Sequence, residues 1–224
     1  MADTIDPRRK VCATRVIAST AGVLCGISGL EHGFFETLQG STAPPALLIS
    51  AIGPANRFWP GGTETALTIV PNYLVTGILA MLASLMVIIW SAAFIQRKHG
   101  ALIFLLLSLM QFLVGGGFAQ ILLVPIIAAG ASQINASLGW FRSLLPASVR
   151  RSLAKLWLWL LLAFALSFSC AIFAAIFGYI PIVSNVFSLR GSDLTSLLYA
   201  LGYFMFGVLP LAFLAGFAHD SLAE

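Results

Sequence analysis

The sequence predicts an all-α integral membrane protein, a single helical bundle over residues 1–224 with six passes, the third and fourth short and joined at Gly115–Gly117. Three observations predict it. The chain is 59% hydrophobic and only 9% charged, whereas a soluble domain carries about 25% charged residues. Such a chain must use lipid as solvent and satisfy its backbone within helices or a closed barrel. Its apolar runs are continuous and do not alternate, which is a helical pattern and not a barrel pattern. The distribution of Lys and Arg then sets the number of crossings.

The first span is expected over about 16–38. It follows the basic segment "PRRKVCATR" and has no A-x-A-like cleavage site, so it reads as an uncleaved helix and not a signal peptide. Arg8–Arg9 form a twin arginine without further export features, and Leu24 before Cys25 is too large for a usual lipoprotein processing site. The next apolar piece, "PPALLISAIGP", is too short to span and is expected to dip into the outer leaflet or to lie as a lid over the bundle. The second span covers about 70–96, with Thr63 and Pro71 as start signals.

The run 101–131 is too long for one comfortable span and short for two, since about 20 residues cross a ~30 Å core. Basic residues arbitrate. They fall at Arg8, Arg9, Lys10 and Arg15, then Arg57, then Arg97 and Lys98, then Arg142, Arg150, Arg151 and Lys155, and last Arg190. One crossing by the long run places seven inside and five outside; a crossing out and back places ten inside and two outside. The second split fits the positive-inside rule, so spans at 101–115 and 118–133 are expected, with both termini cytoplasmic and the chain integral to the cell membrane. Five passes is the alternative. "LGWFRSLLPASVRR" reads as a cytoplasmic interfacial segment, apolar on one side and basic on the other. The last spans are 155–180 and 194–219, the latter with Pro210 inside it. The tryptophans are expected at helix ends, where indoles favour the interface.

Gly22, Gly26, Gly29 and Gly33 recur at intervals of four, three and four, which places them on one helix face as two overlapping G-x-x-x-G units. This predicts a close helix–helix seam, with its partner in the same chain, in a second copy, or in a partner membrane subunit. His32 and Glu36, one turn apart, continue that face, and Glu31 points to the opposite one. Three readings of Glu31, His32 and Glu36 compete: hydrated groups where the helix leaves the membrane, an intramembrane proton or ion site, or a metal site lacking further ligands. Gly115, Gly116 and Gly117 make a tight turn or a break lining a cavity, and Gln111 and Gln120 flank it as cavity-lining groups or interhelical hydrogen bonders. Asn72, Ser84, Ser108, Ser167 and Ser169 read as interhelical hydrogen bonders, Tyr199 and Tyr203, one turn apart, as core packing or as facing a cavity, His99 as part of a solvated basic turn, and His219–Asp220 as a helix running into water.

The hinge "GGGF" inside an apolar hairpin, after "QRKHGALIF", resembles an uncharacterised family of prokaryotic multi-pass membrane proteins over residues 95–135. No function is known for that family, so the resemblance implies no activity and no site residue.

The net charge of +4 without a basic domain outside the apolar runs argues against nucleic acid as a partner. No signature of serine hydrolase, zinc peptidase, P-loop or c-type haem chemistry occurs. The cysteines Cys12, Cys25 and Cys170 suggest no disulfide framework. No cofactor is expected, and the sequence leans away from an enzyme. The leading expectation is a transporter or channel-like protein with an outer-half site at Glu36 and His32. The alternatives are a non-catalytic subunit or assembly factor that uses the glycine seam, and a metal-dependent membrane enzyme built on Glu31, His32 and Glu36.

Overall fold

The computed structural model describes residues 12–180 and 192–223. Arg8, Arg9, Lys10 and Arg190 lie outside the described residues. The chain forms α1 (Ala13–Thr37), β1 (Leu48–Ser50), β2 (Thr65–Leu67), α2 (Tyr73–Ile89, continued by a π-turn over Trp90–Phe94), α3 (Gly100–Leu113), α4 (Phe118–Ala131), α5 (Gly139–Leu144), α6 (Ala147–Leu153), α7 (Trp157–Phe177) and α8 (Ser192–Ser221). Among the described residues four helical stretches are long and apolar enough to cross a membrane: Ala13–Thr37, Tyr73–Phe94, Ala147–Phe177 and Asp193–Ser221. The run 101–131 divides at the glycines into α3 and α4, each of 14 residues and so about 21 Å long at 1.5 Å per residue. The outer faces of the bundle are apolar: Ile78, Leu82 and Leu85 on α2, Leu102, Leu106 and Leu109 on α3, and Leu158, Leu162 and Leu166 on α7 are exposed. Uninterrupted oil of this kind suits lipid and not water.

The helix ends follow from local chemistry. Asn72, after Pro71, caps α2: its side-chain oxygen accepts from the Val75 amide at 3.1 Å. Asn72 is therefore a cap and not an interhelical bond, and Thr63 is not a helix start but lies in the loop before β2. The start of α1 has no side-chain cap of its own. Asp220 near the end of α8 supplies it, accepting from Ala13 N at 2.8 Å and Thr14 N at 2.9 Å. The Cys12 thiol also donates to Asp220, at 3.3 Å, and burial, with smaller help from the Asp220 charge, pushes that thiol up to about 11. So Asp220 does not run into water; it joins the last helix to the first. Replacing Asp220 with Ala should cost about 1–2 kcal/mol, the usual size of a lost cap. Thermal unfolding in detergent reads this, and hydrogen exchange should show lost protection at Ala13 and Thr14.

α1 is the central helix and packs most extensively on α2. Its four glycines face elements of the same chain. A side chain at Gly22 would meet Ser91, one at Gly26 would meet Ile88 and the Ser84 carbonyl, and one at Gly29 would meet Gln111 and Ser84. At Gly33 the approach is backbone to backbone: a Cβ would lie 2.6 Å from the Gly77 carbonyl oxygen, and one at Gly77 would lie 2.5 Å from that of Gly33. The seam is filled from within, and Gly77 is its second half. A Gly33→Val substitution must move a backbone and should cost at least about 1–3 kcal/mol, read as a lower unfolding temperature of the purified chain.

Two features depart from a purely helical reading. "PPALLISAIGP" contributes β1, which pairs antiparallel with β2 (Leu48 with Leu67, Ile49 with Ala66, Ser50 with Thr65). This hairpin covers the end of the bundle. Ile49, Ala51 and Ala66 pack with Tyr73, and Ile52 packs with Phe35 and Ile176. At the opposite end, α5 and α6 lie against α8: Phe141 is buried in the main core, and Arg150 donates to the Ser221 hydroxyl at 3.1 Å.

Candidate functional site

The site forms where the end of α1 meets the break between α3 and α4. α3 ends because Gly115 takes φ +104° and Gly117 takes φ +96°, conformations that L side chains rarely adopt. The exposed carbonyls at the break are taken up locally. Ile69 N donates to Leu113 O at 3.0 Å, and the Thr76 hydroxyl donates to Val114 O at 2.7 Å. Irregular backbone at such a position is tolerated when protein partners satisfy it.

The missing side chains of the glycines are occupied by the acidic end of α1. A Cβ at Gly115 would collide with the carboxylate of Glu36, and a Cβ at Gly117 would meet Gln120 and lie 2.7 Å from His32 Nε2. Glu36 is 0% exposed and His32 1%, so these two are not hydrated groups at a helix exit. Among the described residues neither oxygen of Glu36 has a hydrogen-bond partner, and His32 Nδ1 has none. A carboxylate in such a place needs a proton or a cation on it.

His32 Nε2 faces two acids. Glu64 Oε2 lies at 3.3 Å and Glu31 Oε2 at 4.0 Å. Glu31 therefore does not face away from the cluster: the helix directs its Cα elsewhere, but its carboxylate reaches back. Glu64 belongs to the segment before β2 and holds φ +44°, a strained setting for a non-glycine residue, which places its carboxylate over His32. Nothing in the sequence pattern marks Glu64, because an acid in "GGTETALT" looks like any solvated loop residue. The two glutamines have separate jobs. Gln111 donates to Cys25 O at 3.2 Å and to Ser84 Oγ at 3.0 Å, locking α3 to α1 and α2. Ser84 thus serves the interhelical role expected of it. Gln120 donates through Nε2 to Ser28 Oγ, while its Oε1 is buried without a partner.

Beside the cluster lies a cavity of about 540 Å³, and Ser28, Glu31, Trp59, Glu64 and Gln120 form its polar side. Trp59 is held there by its indole N–H, which donates to Ala175 O at 2.9 Å, so it braces the cavity. Tyr199 and Tyr203 line the cavity from α8 and are not core packing; they are 67% and 77% exposed. His99, by contrast, is exposed in its basic turn. Among the described residues no three His, Cys, Asp or Glu side chains converge to hold a metal ion. Comparison with protein families, with curated proteins and with solved structures finds no match for the chain.

Proposed function

We propose that the chain is a small proton-conducting membrane transporter whose proton-carrying group is Glu36, served by His32, Glu31 and Glu64. The observation that carries this reading is the seat of Glu36: a fully buried carboxylate without a hydrogen-bond partner, in the space left by Gly115 of a broken helix pair. Ionisable groups inside a bilayer are costly and tend to mark proton or ion paths. Broken helices facing a cavity are a recurrent way to build such a site. The cavity reaches Glu31 and Glu64, these lie against His32, and His32 is one helical turn from Glu36, so titratable groups are spaced from the cavity toward the buried acid.

In this reading the chain crosses the membrane six times, with α3 and α4 as a short hairpin and both termini in the cytoplasm. Support comes from the depth the hairpin covers. Its glycine break sits against Glu36 and His32 near one end of α1, Phe104 of α3 lies beside Gly22, and Gly130 of α4 lies beside Phe213 deep in α8. Helices of 14 residues then traverse most of the bundle, with local thinning taking up the shortfall. Reconstitution of the whole chain into liposomes under an imposed pH gradient, with a trapped pH-sensitive dye, tests the function. Proton flux above that of protein-free vesicles is expected, and its absence in wild-type protein would refute the reading.

A further inference from the structure

The cavity beside Glu31 has a chemical sign that the proton reading does not use. Its volume, about 540 Å³, suits one small organic molecule. No Lys or Arg lines it among the described residues, while two carboxylates, Glu31 and Glu64, do. The lining atoms that are buried without a partner, Glu31 Oε1 and Gln120 Oε1, are both acceptors; Gln120 is only 5% exposed. Unsatisfied buried acceptors call for a donor, and paired carboxylates call for a positive one. Apart from Ser28, Thr63, Thr65 and Thr195, the rest of the wall is apolar or aromatic, with Trp59, Phe118, Phe168, Tyr199 and Tyr203 supplying rings for a cation and oil for its tail.

We propose that this cavity binds an amphipathic organic ammonium ion, a primary or secondary amine bearing an apolar group, with its N–H donors on Glu31, Glu64 and Gln120 and its apolar part between Phe118 and Tyr203. The proposal rests on the transporter reading in one respect: it names the ligand class that meets protons at the acidic groups leading to Glu36. An ammonium ion and a proton would compete for these carboxylates, so a bound ammonium ion slows the proton flux that the chain carries alone.

The test is equilibrium binding to the full chain in nanodiscs of zwitterionic lipid, with empty discs subtracted. Octylammonium should bind saturably and about tenfold or more tighter than octanol, octanoate or octyltrimethylammonium, which lack the charge, reverse it, or lack the N–H donors. Glu31→Gln and Glu64→Gln should each weaken octylammonium about tenfold. Should either carboxylate variant fail to fold, Gly202→Phe serves: a Cβ there meets nothing within 4 Å, so the ring can enter the cavity and should abolish binding. Equal binding of octanol and octylammonium, or wild-type affinity in folded variants of Glu31 and Glu64, would overturn the proposal. The binding assay contains no gradient and the proton-flux assay contains no amine, so the two readings fail separately.

Discussion

Replacing Glu36 with Gln should reduce proton flux in liposomes to the level of protein-free vesicles while leaving the bundle folded. The amide has nearly the shape of the acid it replaces, so it fits the space against Gly115. It cannot take up or release a proton, and it removes the need for any counter-charge in a fully buried seat. Like the protonated acid the amide is neutral, so the Gln variant should unfold within a few degrees of wild type. Loss of flux together with retained stability separates a functional role from a structural one. Glu36→Asp should keep part of the flux, because the carboxylate survives but withdraws by one methylene from the glycine break. Unchanged flux in a folded Glu36→Gln protein would remove Glu36 from the mechanism.

Replacing Gly115 with Ala should damage both stability and flux. Its φ of +104° is one that alanine adopts only under strain, of order 1–3 kcal/mol. The new methyl would also fall on the Glu36 carboxylate, so either the acid or the helix break has to move. A lower unfolding temperature and loss of flux are expected together. Gly139→Ala is the matched control. The nearest atom to a Cβ there, Ser137 Oγ, is 3.6 Å away, an ordinary contact, and the change should stay within about 0.5 kcal/mol of wild type. Equal behaviour of the two variants would mean that the space beside Gly115 is not shaped around Glu36.

Parts of this site were legible from residue order because they follow from helical periodicity. Residues four apart share a face, so the glycines of α1 could be aligned with His32 and Glu36 before any contact was known. Three consecutive glycines inside a long apolar run mark a break by their backbone freedom alone, and α3 and α4 do part there. Other elements escaped for equally physical reasons. β1 and β2 have three residues each, too few for alternation to register, and their pairing depends on where the intervening loop folds back. Glu64 acquires its meaning only from a positive φ and from the helix end it covers. Gly77 is a lone glycine in an apolar helix, and the carbonyl it admits comes from Gly33. Asp220 sits at a helix end like many solvated acids, yet the amides it caps lie 206 and 207 residues earlier. Contacts of that separation are set by tertiary packing, which local patterns do not encode.

Residue 36 is sealed inside the bundle against the glycine break. Thiol accessibility tests it most directly, with Glu36→Cys placed in a chain whose Cys12, Cys25 and Cys170 have been replaced. A membrane-impermeant thiol reagent should fail to label position 36 in the folded, reconstituted protein, should label a Leu48→Cys control rapidly (Leu48 is 56% exposed), and should label position 36 once the chain is denatured. Labelling at position 36 as fast as at position 48 in the folded protein would show that Glu36 stands open to solvent.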